Sequence, residues 1–142
     1  MVIKMYAVFC RETLQKMKYE GKLAAQAQHC TLHAWWDAED RLMYGRTWSD
    51  ITPYGHLCLA YRNGLDARKI TLVVDTVDQL KDLYEKYRPY MGATLVEDCA
   101  YTVFDEPTIT GVGLGPIDDT WLEGSELKSL PTLKNEIRKF ST

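Results

Sequence analysis

The chain has 142 residues, which is enough for one domain with a hydrophobic core and too few for two ordinary domains. Apolar residues make up 46% and charged residues 26%, as in globular proteins, and no run approaches the roughly 20 apolar residues of a membrane helix. The net charge of −3 argues against a protein coated in basic surface for nucleic acid, although a local basic patch remains compatible with it.

The cysteines predict free, mostly buried thiols rather than a disulfide framework or a zinc knuckle, because they are widely spaced and form no C-x-x-C pair. They are Cys10, Cys30, Cys58 and Cys99. The N-terminus lacks the pattern of a signal peptide. We therefore expect a cytoplasmic protein with no membrane contact, folded as a single domain over residues 1–142.

A strand and a long helix are the first predicted elements. The run from Val2 to Cys10 is apolar and rich in β-branched and aromatic residues, which predicts a buried strand. The polar stretch 11–21 is interpreted as a loop. From Lys22 to about Tyr44 there is no proline or glycine, and apolar residues recur on one helical face, so we predict a helix of five or six turns closed by Gly45.

The predicted helix begins with a cation where helix physics favours an anion. A lysine in the first turn costs about 0.3–1 kcal/mol, because the N–H groups there carry partial positive charge. Lys22 occupies this position, and Lys16 and Lys18 precede it. Three lysines leading into a helix N-terminus predict an anion site, most often for phosphate. The alternative is three solvated surface lysines.

Strands and helices alternate through the rest of the chain. We predict a strand at 69–74, a helix capped by Asp75 or Thr76, strands at 93–97 and 108–114, and a short helix at 133–140. The Trp-rich segment 35–68 is predicted to bury its tryptophans, the alternative being a partner surface or base-stacking platform. This order predicts an α/β fold, a three-layer α/β/α arrangement on a mixed, mostly parallel four-stranded sheet.

Two groups of residues are candidates for chemistry. His29, His33 and Asp37 share one face of the long helix and form a possible metal site, although packing histidines are the favoured interpretation. Asp98 directly follows a strand and should lie at the carboxyl edge of the sheet, where ligands bind in open α/β folds. The hydroxyls of Thr102 and Thr110 are expected to meet its carboxylate there, unless Asp98 is an ordinary turn residue.

Three motifs together resemble the type 2 peptidyl-tRNA hydrolases, the family typical of archaea and eukaryotes. The family's glycine-lysine pair followed by Ala-Ala-Gln-x-x-His is matched by the stretch from Gly21 to His29. Its Asp-Ala-Gly-Arg-Thr motif reads here Asp-Cys-Ala-Tyr-Thr, over residues 98–102. Its threonine ahead of Gly-x-Gly-Pro is matched by Thr110 before residues 113–116.

The resemblance implies a hydrolase that cleaves the ester between a peptidyl or aminoacyl group and tRNA, without metal or cofactor, in a homodimer. It implies that Asp98 and Thr102 position the attacking water, that Lys22 binds phosphate or the oxyanion, and that Thr110 and His29 support them. The implied substrate-binding residues are Lys16, Lys18, Gln26 and Tyr101.

The sequence departs from the family pattern at Tyr101, which replaces an arginine and so removes a planar donor fork that a phenol does not provide. The Trp-rich insertion at about 35–68 and a C-terminal extension after 116 also lack a clear counterpart. The alternative function is a catalytically weakened relative that acts as an RNA- or protein-binding module.

Overall fold

The computed structural model describes residues 2–17, 20–43, 61–62, 68–98, 106–122 and 124–133. Within these ranges no helix is long and apolar enough to cross a membrane. The strands are β1 (Ile3–Cys10), β2 (Arg68–Val74), β3 (Ala93–Asp98) and β4 (Thr108–Asp118). The helices are α1 (Arg11–Leu14), α2 (Glu20–Met43) and α3 (Val77–Tyr87), and 3₁₀ turns follow at Asp119–Leu122 and Glu126–Lys128.

The four strands form one mixed sheet in the order β2-β1-β4-β3, which confirms the predicted α/β class. The expectation of mostly parallel pairing is wrong. Only β1 and β2 pair in parallel, because β4 is inserted between β1 and β3 and runs antiparallel to both. Strands β1, β2 and β3 still point the same way, so their carboxyl ends and the start of β4 meet at one edge of the sheet.

Helices α2 and α3 cover opposite faces of the sheet. Tyr6, Val8 and Cys10 of β1 pack in the cluster that holds the buried side chains of α3. Ala7 and Phe9 pack in the cluster that contains residues of α2. This alternation is the period-2 pattern of a strand that is buried on both faces, as its apolar sequence predicted.

Helix α2 lies directly against β4, because both surfaces carry small residues at the contact. Cys30, Ala34 and Ala38 are fully buried on the helix. A Cβ atom added to Gly113 would lie 1.8 Å from the carbonyl oxygen of Cys30, and one added to Gly111 would lie 2.9 Å from its sulfur. The close approach fixes the position of α2 over the sheet.

Several predicted boundaries need correction. Helix α2 begins at Glu20, so Gly21 is helical, and the predicted loop before it contains the single turn of α1. Strand β4 continues past Leu114 because its last residues pair with the start of β1. Helix α3 begins after Thr76, whose hydroxyl and the side chain of Gln79 form a capping box. Most of the Trp-rich insertion and the helix predicted at 133–140 lie outside the described residues.

Asp119 holds the end of β4 to the start of β1. Its carboxylate accepts hydrogen bonds from the Tyr6 hydroxyl at 2.8 Å, from Lys4 at 3.0 Å and from Lys128 at 2.7 Å. Burial alone would raise the pKa of Asp119, but these donors outweigh it and lower the pKa to about 2. The carboxylate is therefore a structural anchor at the edge of the sheet opposite the carboxyl ends of β1, β2 and β3.

Candidate active site

The first turn of α2 and the last residue of β3 meet at the carboxyl edge of the sheet. There the ammonium group of Lys22 forms an ion pair and a hydrogen bond with Oδ2 of Asp98. The two side chains are 15% and 6% exposed, respectively, so most of the pair is removed from water. The lysine that the sequence assigns to an external anion is held by an internal carboxylate, which offsets its unfavourable place at a helix N-terminus.

A second polar contact lies one helical turn further along α2. The hydroxyl of Thr110 donates to Oε1 of Gln26 at 2.6 Å, and both side chains are buried. The predicted contact between Thr110 and the Asp98 carboxylate is wrong, since the hydroxyl is directed to Gln26. The two contacts together join α2 to β3 and to β4.

A β-bulge places the Thr110 side chain in this position. In the pairing of β3 with β4, Val96 lies opposite Gly111 and Glu97 lies opposite Ile109, which leaves Thr110 as an extra residue. Ile109 packs on the α3 face, whereas Thr110 and Gly111 both face α2. Strict alternation along the strand does not predict this orientation, and only the two adjacent small residues, Thr110 and Gly111, hint at it.

Two of the remaining predicted site residues, Lys16 and His29, lie in the described ranges, and three do not. Lys16 is exposed in the turn after α1. His29 is exposed on α2, with its ring centroid 5.6 Å from that of His33. Lys18, Tyr101 and Thr102 lie outside the described residues.

The histidines of α2 contact other aromatic rings on the exposed side of the helix. His33 stacks on Trp36 with ring centroids 5.2 Å apart. The carboxylate of Asp37 accepts a hydrogen bond from the Ala93 N–H at 2.9 Å and pairs with Arg41 at 2.8 Å. Across the part of the chain that the structure describes, no group of three or more His, Cys, Asp or Glu side chains is arranged to hold a metal ion.

The two cysteines in the described ranges are free and buried, as predicted. Burial raises the pKa of the Cys30 thiol to about 12, and it also raises the pKa of Cys10. A thiol protonated at neutral pH is a poor nucleophile, so neither residue fits covalent catalysis.

The site therefore offers a carboxylate, an ammonium group, an amide and a hydroxyl at the edge where open α/β sheets bind ligands. A carboxylate of this kind can accept a proton from water, and a fixed cation can stabilise a developing oxyanion. These groups are suited to the hydrolysis of an ester.

The comparisons with known proteins agree with this chemistry. The family model described as peptidyl-tRNA hydrolase PTH2 matches residues 3–128. The matched range begins at the first residue of β1, ends at the second 3₁₀ turn and contains the residues of both contacts, Lys22 with Asp98 and Gln26 with Thr110. No curated protein matches the chain.

Proposed function

The chain belongs to the peptidyl-tRNA hydrolase PTH2 family, and we propose that it hydrolyses the ester bond between a peptidyl or aminoacyl group and the 3′ end of tRNA, without a metal ion. The observation that carries this proposal is the buried pair of Lys22 and Asp98 at the carboxyl edge of the sheet. Family membership supplies the substrate class, and the pair supplies the base and the cation that a hydrolytic site requires.

In the proposed reaction Asp98 accepts a proton from a water molecule, whose oxygen attacks the ester carbonyl carbon. The negative charge that develops on the carbonyl oxygen is stabilised by the ammonium group of Lys22. Collapse of the tetrahedral intermediate breaks the bond to the ribose oxygen, which takes the proton back from Asp98. The products are tRNA with a free 3′ hydroxyl and a carboxylic acid. Thr102 is proposed to help position the water.

Gln26 is proposed to bind the substrate through its amide nitrogen. Because its Oε1 accepts the hydrogen bond from Thr110, the Nε2 end is the one directed to donate elsewhere. Gln26 stands one turn after Lys22 on the same helix, so its amide and the ammonium group can serve the same ligand. Thr110 is therefore proposed as a positioning residue that acts through Gln26.

The further parts of the proposal rest on the family alone. We propose tRNA as the partner, with Lys16 and Lys18 on its phosphates, Tyr101 contacting the substrate and His29 orienting its neighbours. We also propose that the protein acts as a homodimer in the cytoplasm.

The test is release of the acyl group from a defined peptidyl-tRNA and from an aminoacyl-tRNA. Asp98→Asn keeps the shape of the side chain and removes the base, so we expect a loss of about 10²–10⁴-fold in rate. Glu97→Gln is the matched control, since Glu97 is the preceding residue on the same strand and is exposed. We expect it to retain wild-type activity.

Two results would count against the proposal in different ways. Full activity of Asp98→Asn would remove the carboxylate from the mechanism. An inactive wild-type protein that still binds tRNA would favour the alternative function, a binding module, to which the replacement of the family's arginine by Tyr101 already points.

A further inference from the structure

Three aromatic rings follow one another along α2 beyond the Lys22–Asp98 pair. The ring centroids of His29 and His33 are 5.6 Å apart, and those of His33 and Trp36 are 5.2 Å apart with an interplanar angle of 18°. All three side chains are exposed, and Trp36 retains 51% of its surface. We call these three residues the aromatic ladder. Trp36 thereby contradicts the expectation that the tryptophans are buried.

The aromatic ladder continues the flank of the helix that carries Lys22. Lys22, His29 and Trp36 are spaced seven residues apart, which returns to nearly the same side of a helix of 3.6 residues per turn. At 1.5 Å per residue, the ladder extends from about 10 to about 21 Å from Lys22 along the helix axis. It therefore leads directly away from the candidate active site.

Core packing does not account for the aromatic ladder. Cys30, Ala34 and Ala38 of α2 are fully buried, whereas the three members of the ladder are exposed. Single exposed apolar side chains are normal, but contiguous exposed surface of this kind marks interaction sites, and the three rings of the ladder contact one another. The stacking of Trp36 on His33 also fixes the orientation of an exposed ring, which lowers the entropy cost of binding a flat partner.

The charges around the ladder favour a base over a phosphate as its ligand. Asp40 lies four residues after Trp36, next to it on the helix surface, and is exposed. Lys22, which lies on the same flank of α2, is paired with Asp98. An acidic neighbour disfavours phosphate contact at the ladder itself, whereas stacking uses the face of the base.

We propose that the aromatic ladder is a stacking surface for the bases at the unpaired 3′ end of tRNA. This inference rests on the proposed function, because the scissile ester is carried by the terminal ribose. When that ester lies at the Lys22–Asp98 pair, the terminal nucleotides lie beside it. The ladder begins about two helical turns from Lys22 on the same flank and offers the flat surface that unpaired bases bind.

A second copy of the chain is the less suitable occupant. Within the described ranges, Trp36 and Leu32 are the large apolar side chains that α2 exposes, and they retain 51% and 43% of their surface. Two such side chains fall well short of the roughly 800 Å² per partner that a stable interface buries. Leu32 also borders a separate cleft of about 350 Å³, next to Trp35 and Tyr61.

The experiment compares two RNA hairpins, one with an unpaired 3′ end and one blunt, by fluorescence anisotropy with the full chain. We expect Trp36→Ala to weaken binding of the first hairpin by about 5-fold or more and to leave the second unchanged, since stacking of one base is lost. Trp36→Phe should keep most of the affinity. Leu32→Ala is the matched control, because it removes an exposed apolar side chain of the same helix outside the ladder.

The salt dependence adds a second readout. Stacking involves no phosphate, so Trp36→Ala should lower the affinity without changing the slope of log K against log salt. Circular dichroism would verify that each variant is folded. An unchanged affinity of Trp36→Ala for the unpaired end, an equal loss for both hairpins, or a flatter salt slope would each overturn the proposal. The proposal would also be overturned if Trp36→Ala and Leu32→Ala both abolished self-association while RNA binding stayed intact, because a second copy of the chain would then be the occupant.

Failure of this inference can be told apart from failure of the proposed function. An active wild-type enzyme whose Trp36→Ala variant binds both hairpins normally would refute the stacking surface and leave the hydrolase intact. An inactive wild-type protein in which Trp36→Ala still weakens binding of the unpaired end would refute the hydrolase and support the stacking surface.

Discussion

The ion pair between Lys22 and Asp98 predicts that one substitution has opposite effects in two backgrounds. Lys22→Met removes the ammonium group and keeps most of the aliphatic stem. In the wild-type protein it removes the ammonium group that pairs with the Asp98 carboxylate, which is 6% exposed. In an Asp98→Asn background the cation has lost this carboxylate, and its unfavourable position in the first turn of α2 remains.

The expected magnitudes follow from the burial of the pair. Removal of one partner from a fully buried ion pair costs about 3–5 kcal/mol. The Lys22 side chain keeps 15% exposure, so the loss here should be nearer 2–4 kcal/mol, reduced by the ~0.3–1 kcal/mol gained at the helix N-terminus. Lys22→Met should therefore destabilise the wild type by about 1–4 kcal/mol and stabilise Asp98→Asn by about 0.3–1 kcal/mol.

The assay is a double-mutant cycle from urea unfolding at neutral pH, followed by circular dichroism. Lys16→Met is the control, because Lys16 is exposed and should cost the same in both backgrounds. If Lys22→Met is equally destabilising with and without the Asp98 carboxylate, the pair contributes nothing to stability, and the explanation given for Lys22 at the start of α2 is wrong.

Three further predictions concern the fold that positions the site. Gly113→Ala should destabilise the protein by several kcal/mol in thermal unfolding, since the new Cβ would lie 1.8 Å from a carbonyl oxygen. Gly21→Ala is the contrasting substitution, because a Cβ there would have no atom within 4 Å. It should stabilise α2 by up to ~1 kcal/mol. Asp119→Asn should cost about 1–2 kcal/mol at neutral pH. Because the pKa of Asp119 is lowered to about 2, its contribution is complete above the unfolded-state pKa, and the difference in urea unfolding should shrink as the pH falls from about 4 to 2. Cys30, with a pKa raised to about 12, should stay unlabelled by thiol reagents at neutral pH until the protein unfolds, as mass spectrometry would show.

Local sequence patterns were sufficient to predict the elements of the fold but not the way they pair. The apolar run of β1 and the capping residues of α3 act within a few residues, so the sequence reports them directly. The insertion of β4 between β1 and β3 depends on contacts between distant segments. The glycines of β4 are an indirect sign of this central position, because Gly111 and Gly113 are where α2 packs against the sheet.

The same distinction between local features and contacts of distant segments applies to the candidate site. Its helix and its strand end were predicted, because a lysine in a first helical turn and an aspartate after an apolar strand are local features. The contacts made by the side chains of the site were not predicted. The Gln26 contact of Thr110 depends on a bulge that displaces one residue from the alternation of β4. The exposure of Trp36 depends on how α2 is rotated over the sheet, with Cys30 rather than its larger neighbours on the buried side.

The pairing of Lys22 with Asp98 is compatible with the role in catalysis that we propose for the lysine. An ammonium group carries three N–H donors, and Oδ2 of Asp98 accepts one of them. A carbonyl oxygen that becomes negatively charged in the transition state can accept another without breaking the ion pair. The carboxylate also fixes the ammonium group in advance, so its reorganisation adds little to the barrier. The position of Lys22 therefore costs α2 some stability at its N-terminus, and Asp98 offsets that cost while it holds the cation for substrate.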